Sequence, residues 1–177
     1  MATDQPNVLF VLADQHRART LGCYDDEVVR TPILDSFARQ GVRLRTMLSN
    51  TPVCGPYRAS LMSGCYTTGC RYPTNYLPFE PPATTFGQAF KQAGYKTAYI
   101  GKWHLYFPSD RDPNETRGSK GFVPREHRFG FEDYWAAFNS GHKYYDWQYY
   151  LNDNPEPIPA TGYQPKAQAK QALEFIS

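Results

Sequence analysis

The sequence predicts an α/β fold in which a largely parallel sheet is flanked by helices on both faces. Two kinds of segment support this. Strand-like apolar or alternating runs occupy residues 7–13, 42–49 and 96–101, and helix-like patterns lie between them at 31–41, 59–64 and 84–94. Parallel strands need crossover connections, which are usually helical, so this alternation favours a parallel arrangement.

The first strand and the first helix have the clearest local signals. The run "NVLFVLA" at residues 7–13 is continuously apolar, which is typical of a strand buried on both faces. In "TPILDSFARQG", Thr31 is a candidate N-cap, Pro32 suits the first turn and Gly41 is a stop signal. The predicted apolar face of this helix consists of Ile33, Leu34, Phe37 and Ala38.

The remaining elements complete the β-α-β-α-β order. The alternation in "VRLRTMLS" predicts a second strand with Val42, Leu44 and Met47 inside. A short helix, "ASLMSG", follows, and "TTFGQAFKQAG" predicts another helix with Gly94 as its C-cap. The apolar stripe of that helix is Phe86, Ala89, Phe90 and Ala93. The segment "KTAYIG" is the third predicted strand.

Composition narrows the class of protein. Of 177 residues, 41% are hydrophobic and 20% charged, which is typical of a globular protein rather than a disordered one. A net charge of +2 gives no reason to expect a nucleic-acid partner. No apolar run reaches the roughly 20 residues of a membrane span. No signal peptide is visible, so we expect a cytoplasmic protein, or a periplasmic or secreted one if a leader was removed.

The four cysteines do not form a recognisable framework. Cys23, Cys54, Cys65 and Cys70 contain no CxxC pair, and the chain is too long to resemble a small disulfide scaffold. A Cys65–Cys70 bridge remains an open alternative.

Polar residues follow the ends of the three predicted strands. Asp14 and Gln15 come after the first, Cys54 after the second, and Lys102 and His104 after the third. Ligands of open α/β sheets bind at the carboxyl ends of the strands, so these side chains are expected to converge on one edge.

Each of these clusters also has a purely structural interpretation. Asp14 and Gln15 could form a turn, Cys54 could be a small packed side chain, and Lys102 and His104 could lie on an exposed loop. Arg58 could pair with a surface carboxylate. Taken together, a carboxylate, a sulfur at a helix start and several cations favour an anion site beside a hard cation.

These residues resemble the sulfatase family of the alkaline-phosphatase-like superfamily. The family's Cys-x-Pro-x-Arg signature, followed by a small-residue helix, stands here as Cys54, Pro56 and Arg58 in "CGPYRASLMSG". The opening "PNVLFVLADQ" and the later "GYKTAYIGKWHL" are similar to the family's first strand and its lysine–histidine segment. The departures are Tyr57, where serine or another small residue is commoner, and Gln15, where many members have a second aspartate.

The resemblance implies a mechanism for Cys54. In the family this cysteine is oxidised by a formylglycine-generating enzyme, and the hydrated aldehyde is the nucleophile that attacks the sulfur of a sulfate ester. A divalent cation, Ca²⁺ by resemblance, with Mg²⁺ or Mn²⁺ as alternatives, would be held by Asp14, Gln15 and the modified Cys54. Arg58 would hold the hydrate, Lys102 would bind a sulfate oxygen, and His104 would bind the sulfate or protonate the leaving oxygen.

The resemblance also implies that the chain is incomplete. Family members complete the cation site with residues beyond this chain's length, and "AKQALEFIS" has the pattern of a helix interior. We therefore expect residues 1–177 to be the N-terminal part of a catalytic sulfatase domain, without its remainder or a C-terminal subdomain. The sequence makes no prediction about the oligomeric state.

Substrate signals are concentrated in "RFGFEDYWAAFNSGHKYYDWQYY", residues 128–150. Its aromatic side chains either fill a core, which is the default, or stack against sugar rings. His142 in this stretch is a candidate substrate-binding residue. A preceding loop carries Arg117, Lys120, Arg125 and Arg128, which could meet an anionic glycan or simply be solvated. We therefore expect a sulfated carbohydrate as the substrate.

Two rival functions remain open. A phosphonate or phosphate monoester hydrolase of the same superfamily would use the same nucleophile, and members with glutamine at position 15 exist. A non-catalytic homologue would keep Cys54 as a plain thiol and merely bind an anion.

Overall fold

The computed structural model describes residues 5–25, 28–107 and 121–177. The chain divides into two compact units, Met1–Leu48 and Ser49–Ser177.

The second unit contains a mixed sheet with four strands among the described residues. In chain order these are β1 (Ala98–Lys102), β2 (Tyr134–Phe138), β3 (Trp147–Leu151) and β4 (Ile158–Ala160). The spatial order is the same, with β1 parallel to β2 and the two later pairs antiparallel. The predicted strand at 96–101 is therefore confirmed, and it supplies the parallel pair of the sheet.

Four α-helices occur in the described part of the chain. The first unit contains α1 (Pro32–Gln40), and the second contains α2 (Cys54–Ser63), α3 (Phe86–Gln92) and α4 (Gln164–Ile176). Short 3₁₀ turns cover Ala18–Thr20, Gly22–Tyr24 and Arg125–His127. The predicted helices at 31–41 and 84–94 are confirmed, and the one predicted at 59–64 begins earlier, at Cys54.

Local capping and close packing fix α3. Thr85 accepts a hydrogen bond from the backbone of Gln88, whose side chain in turn accepts from the backbone of Thr85. This capping box satisfies donors that the first turn would otherwise leave unpaired. Gly87 permits the close approach to the chain near β2, because a Cβ there would lie 2.7 Å from the carbonyl oxygen of Phe129.

Aromatic side chains form most of the core of the second unit. Tyr99 of β1 stacks on Trp135 of β2 at 5.3 Å between ring centroids, and Trp103 meets both rings edge-on. Met62 and Ala59 of α2 belong to the same buried cluster. The core therefore lies between α2 and the β1–β2 pair, which places the start of α2 close to the end of β1.

Two of the three predicted strands are absent from the structure. Residues 7–13 and 42–49 have no strand assignment, and the prediction of buried apolar residues there is wrong. Leu9, Val11, Val42 and Met47 are exposed side chains. A strand is stable only when a neighbouring strand satisfies its backbone groups, and the described residues of the first unit contain no strand to pair with.

Helix α1 forms where predicted, but its apolar face is not covered. Phe37 is 75% exposed, and Ile33 and Leu34 are also exposed. Thr31 makes no side-chain cap; its hydroxyl instead accepts from the backbone of Gly22 and donates to Asp35. These bonds join α1 to the 3₁₀ turn at Gly22–Tyr24 within the first unit.

All four cysteines are free, so the alternative of a Cys65–Cys70 bridge is not supported. Within the described residues, no helix combines the length and apolar character needed to cross a membrane.

Candidate active site

Cys54 is the first residue of α2. Val53 precedes it as an extended N-cap residue that provides no side-chain cap, and the backbone N–H of Gly55 in the first turn donates to Asn75 instead. The helix dipole favours an anion at this end. Cys54 itself is half-buried and its thiol is free.

Arg58 connects α2 to the end of β1. It lies one turn after Cys54, is buried, and donates hydrogen bonds from its NH1 nitrogen to the carbonyl oxygen of Lys102 at 2.5 Å and to the Tyr99 hydroxyl at 2.9 Å. The Tyr99 hydroxyl donates to the same carbonyl at 2.6 Å. The structure therefore brings two predicted site residues, Arg58 and Lys102, into direct contact. Tyr99 was not predicted.

Lys102 is the last residue of β1 and its side chain contacts His142. The distance from the lysine Nζ to the histidine Nε2 is 3.2 Å, and Lys102 is buried whereas His142 is exposed. The structure thus joins the predicted sulfate-binding lysine to the predicted substrate-binding histidine.

His104 is held by the segment that follows β2. Its backbone N–H donates to the carbonyl oxygen of Asn139 at 2.6 Å, and the Asn139 side chain bonds both the N–H and the carbonyl of Tyr106. His104 is buried and has a left-handed backbone, with φ of 60°. Non-glycine residues adopt this conformation only where surroundings enforce it, and such residues concentrate at functional sites.

The start of α2 is also covered by Tyr72 and Asn75, which the sequence analysis missed. Burial of Tyr72, and then the nearby Cys54, raise the pKa of the tyrosine hydroxyl well above its usual range. This hydroxyl therefore stays protonated. Asn75 accepts a hydrogen bond from the backbone N–H of Gly55 at 2.8 Å. No periodicity or motif marks either residue, so only the fold could reveal them.

Asp14 and Gln15 lie in the first unit. Both belong to an exposed turn, and Gln15 has a left-handed backbone with φ of 49°. Among residues 5–25, 28–107 and 121–177, no three His, Cys, Asp or Glu side chains are close enough together to hold a metal ion. Asp14 and Gln15 belong to the first unit and Cys54 to the second.

Most of the aromatic residues at 128–150 are part of the core. Phe129, Phe131, Trp135 and Trp147 are buried, which agrees with the default interpretation of this stretch. Tyr144 and Tyr145 differ, because both are exposed and both contact the ring of exposed Tyr163. We call Tyr144, Tyr145 and Tyr163 the tyrosine cluster.

The charged loop offers fewer cations than its sequence indicates. Arg117 and Lys120 lie outside the described residues. Arg128 is 0% exposed and binds Asp153 and two backbone carbonyls, and Arg125 pairs with Asp153 and Glu132. Burial lowers the pKa of Arg128, and the Asp153 carboxylate opposes that shift. Both described arginines therefore stabilise the fold near β3.

Comparison with known proteins identifies the family. The sequence pattern of the sulfatase family matches residues 6–177. The chain belongs to the sulfatase family. This agrees with the Cys54, Pro56 and Arg58 signature and with the α/β fold class expected from the resemblance.

Relatives within the family include enzymes named for carbohydrates. An ulvan-active sulfatase of Formosa agariphila is 40% identical over 97% of this chain and 32% of that protein. An N-acetylglucosamine-6-O-sulfatase of Bacteroides thetaiotaomicron is 28% identical over 98% of this chain and 28% of that protein. The chain thus spans about a third of the length of the curated relatives it matches.

Solved sulfatase structures share the fold. The crystal structure of yidJ from Bacteroides fragilis superposes with a TM-score of 0.87 at 29% identity, over 99% of this chain and 42% of that one. A structure in complex with its substrate, D-glucosamine-2-N,6-O-disulfate, superposes with a TM-score of 0.77 at 27% identity, over 98% of this chain and 31% of that one. The predicted alkaline-phosphatase/sulfatase-like fold class is therefore confirmed.

Proposed function

We propose that residues 1–177 form the N-terminal part of a catalytic domain that hydrolyses sulfate esters with a formylglycine derived from Cys54. The observation that carries this proposal is the arrangement around α2: Cys54 begins the helix, and Arg58 one turn later binds the end of β1 at Lys102. A nucleophile at a helix N-terminus, with a guanidinium and an ammonium nearby, suits a reaction whose transition state spreads negative charge over several oxygens.

The proposed reaction has two displacements. One hydroxyl of the hydrated aldehyde loses its proton and attacks the sulfur, and the bond from sulfur to the alcohol oxygen breaks while that oxygen gains a proton. The second hydroxyl then loses its proton, the aldehyde C=O re-forms, and sulfate leaves with the electrons of the C–O bond. Water adds to the aldehyde to restore the hydrate. Covalent catalysis thus replaces one difficult displacement with two easier ones.

The residues proposed to hold the cation offer oxygen ligands of the right chemistry. Asp14 offers a carboxylate and Gln15 an amide oxygen, and conversion replaces the Cys54 sulfur with oxygen. Ca²⁺ prefers such hard ligands, with Mg²⁺ and Mn²⁺ as alternatives. When bound, a divalent ion polarises the sulfate and eases loss of the proton from the attacking hydroxyl.

The other proposed site residues either orient the hydrated aldehyde or bind the charged sulfate group. In this proposal Arg58 holds the hydrate; the support is that its buried guanidinium is fixed by Tyr99 and the Lys102 carbonyl one turn after Cys54. Lys102 binds a sulfate oxygen, with His142 holding its ammonium group in place from the exposed side. His104 binds the sulfate or protonates the leaving oxygen, and its backbone is fixed by Asn139.

A sulfated carbohydrate is the substrate class we propose. The tyrosine cluster supports it, because Tyr144 lies two residues after His142 and exposes its ring in company with Tyr145 and Tyr163. Exposed aromatic faces pack well against sugar rings. The names of the ulvan-active and N-acetylglucosamine-6-O-sulfatase relatives point the same way.

Peptide mass spectrometry of full-length protein made with a formylglycine-generating enzyme tests the nucleophile. The peptide "NTPVCGPYR" should be about 18 Da lighter than with cysteine, because an aldehyde replaces the thiol carbon. An unconverted cysteine under these conditions would favour the non-catalytic alternative.

A substrate panel tests the reaction and the substrate class. Sulfated mono- and disaccharides, a generic aryl sulfate and a matched aryl phosphonate would be compared by kcat/KM. We expect a sulfated sugar to rank first. A higher kcat/KM for the phosphonate would support a phosphonate hydrolase instead, and a higher value for the aryl sulfate over every sugar would refute the carbohydrate assignment.

A further inference from the structure

Asn75 contacts the first two residues of α2. Its Oδ1 accepts a hydrogen bond from the backbone N–H of Gly55 at 2.8 Å, and its Nδ2 lies 4.0 Å from the sulfur of Cys54. The orientation of the amide follows from chemistry, since a backbone N–H needs an oxygen acceptor. The amide nitrogen must therefore face the side chain at position 54, and Nδ2 can only donate.

The glycine at position 55 leaves space for the Asn75 side chain. A Cβ at Gly55 would lie 2.7 Å from Oδ1 of Asn75 and 3.0 Å from Cε1 of Tyr72. Asn75 is half-buried and stands 20 positions from Gly55 along the chain. It is followed by Tyr76, whose backbone is left-handed with φ of 73°. The fold thus brings a distant amide against the start of α2 and holds it closely.

We propose that Asn75 is a positioning residue for the side chain at position 54. Its carbonyl oxygen anchors it to Gly55, and its amide nitrogen donates a hydrogen bond to the group that residue 54 carries. In the converted protein that group is an oxygen of the hydrated aldehyde, for which the Cys54 sulfur stands in. This catalytic part rests on the proposed function.

The two hydroxyls of the hydrate have different tasks, so free rotation about the Cα–Cβ bond of residue 54 would mix them. A donor held on one side selects one rotamer and leaves the other hydroxyl for the sulfur. The Nη1 nitrogen of Arg58 binds Tyr99 and the Lys102 carbonyl, so Asn75 supplies residue 54 with a donor that is independent of that nitrogen. Fixed orientation of this kind lowers the barrier to reaction without tightening substrate binding.

Two substitutions separate the anchor from the donor. Asn75→Asp keeps an oxygen for the Gly55 N–H but removes the donor, whereas Asn75→Ala removes both. In the full-length, converted protein we expect both variants to lower kcat by about 10- to 100-fold, the range for one hydrogen bond to a charged or polarised group, with KM within about threefold of wild type. Only Asn75→Ala should also lower the melting temperature.

Asn154→Ala is the matched control. It removes a turn-capping amide that accepts a hydrogen bond from the backbone of Glu156, and it should change neither kcat nor KM.

Other outcomes would overturn the proposal. If Asn75→Asp keeps wild-type kcat and only Asn75→Ala loses it, Asn75 is merely a structural anchor. If Asn75→Asp alone is slow, the introduced charge is responsible and the donor is unnecessary.

Amide hydrogen exchange at Gly55 tests the anchor without any turnover. Exchange should accelerate in Asn75→Ala and stay at the wild-type rate in Asn75→Asp, since only the latter retains an acceptor. Unchanged exchange in Asn75→Ala would refute the anchor. If the wild-type protein hydrolyses no sulfate ester, the proposed function fails while this exchange result still stands, so the two failures are distinguishable.

Discussion

The two units differ in how they hold their predicted site residues. In residues 49–177, the side chains of Arg58, Lys102 and Asn75 are tied by hydrogen bonds to other elements of the same unit. In residues 1–48, Asp14 and Gln15 lie on an exposed turn. That turn follows an apolar run in which Val11 is 82% exposed.

The predicted anion-binding residues Arg58 and Lys102 are therefore held by contacts within the second unit, whereas the predicted cation ligands Asp14 and Gln15 are exposed residues of the first. The geometry around position 54 is set by one helix, one strand and the segment at Tyr72–Asn75, all within one unit. We therefore expect the two regions to respond differently to mutation and to added cation.

Cys54→Ala should have the largest effect. Removing the nucleophile should lower kcat of the full-length, converted enzyme by about 10⁴-fold or more, because covalent catalysis depends on this one group. Alanine is well tolerated at a helix start, so the melting temperature should stay close to that of the wild type. The test is to measure kcat and the melting temperature on the same preparation. Activity within about tenfold of wild type, or 1.4 kcal/mol of barrier, would refute the nucleophile assignment.

Asp14→Asn should have the next largest effect and tests the exposed region. Loss of a charged oxygen ligand should weaken Ca²⁺ binding at least tenfold, a change that calorimetry can measure, and should lower activity in parallel. Excess Ca²⁺ should partly restore the rate. The opposite conclusion follows if the variant loses thermal stability equally with and without chelator, since Asp14 would then be a structural turn residue.

Signals from within a segment predicted its structure well. Pro32 and Gly41 bound α1 as expected, and the helix predicted at 84–94 forms as α3, because such signals act over a few residues. The strand predicted at 7–13 failed because hydrophobicity alone does not supply a pairing partner. Strand β1 formed because β2, more than 30 residues later, pairs with it.

The residues of the candidate site were likewise predictable only where they belong to a local sequence motif. Cys54, Arg58 and Lys102 are part of family-like motifs, and the structure brings Arg58 and Lys102 together. Asn75 and Asn139 were missed because each bonds the backbone of a distant residue, and Tyr99 because it accepts from the distant side chain of Arg58. Such contacts leave no periodicity in the sequence. The aromatic residues at 128–150 were correctly expected to fill a core by default, with Tyr144 and Tyr145 as exceptions.

Gly55→Ala tests whether close packing in the second unit matters. Its Cβ would lie 2.7 Å from the Asn75 side chain, so the start of α2 or Asn75 must shift. Overpacking of this kind costs about 1–3 kcal/mol of unfolding free energy, which urea denaturation can measure.

Gly41→Ala in the first unit is the matched control for this glycine substitution. Its Cβ would meet only the carbonyl oxygen of Phe37, at an ordinary 3.7 Å, and its φ of −121° suits any residue. We expect a change below about 0.5 kcal/mol there. Equal losses at both positions would contradict the proposed difference between the two regions.

The smallest predicted effect concerns Asp133, which joins α3 to the start of β1. Its carboxylate accepts from Lys91 at 2.5 Å and from the backbone N–H of Thr97 at 2.7 Å. Partial burial raises the pKa of this carboxyl, but the hydrogen bonds from Lys91 and Thr97 outweigh that effect, so the pKa of Asp133 falls below its usual value. A lowered folded-state pKa stabilises the protein above the unfolded-state pKa of about 3.9, and the stabilisation is lost as the pH falls through the folded-state value.

Asp133→Asn should therefore lower the unfolding free energy at pH 7 by less than about 1 kcal/mol, because the ion pair is partly solvated. The difference in unfolding free energy between variant and wild type should narrow below about pH 4, where the wild-type carboxylate begins to take up a proton. Urea denaturation across pH 3–7 measures this. Glu174→Gln is the control, because Glu174 pairs with Lys170 at 3.8 Å on an exposed helix surface and should change stability little at any pH. A pH-independent gap for Asp133→Asn would mean that the side chain acts through shape rather than charge, and that the α3–β1 junction does not depend on the ion pair.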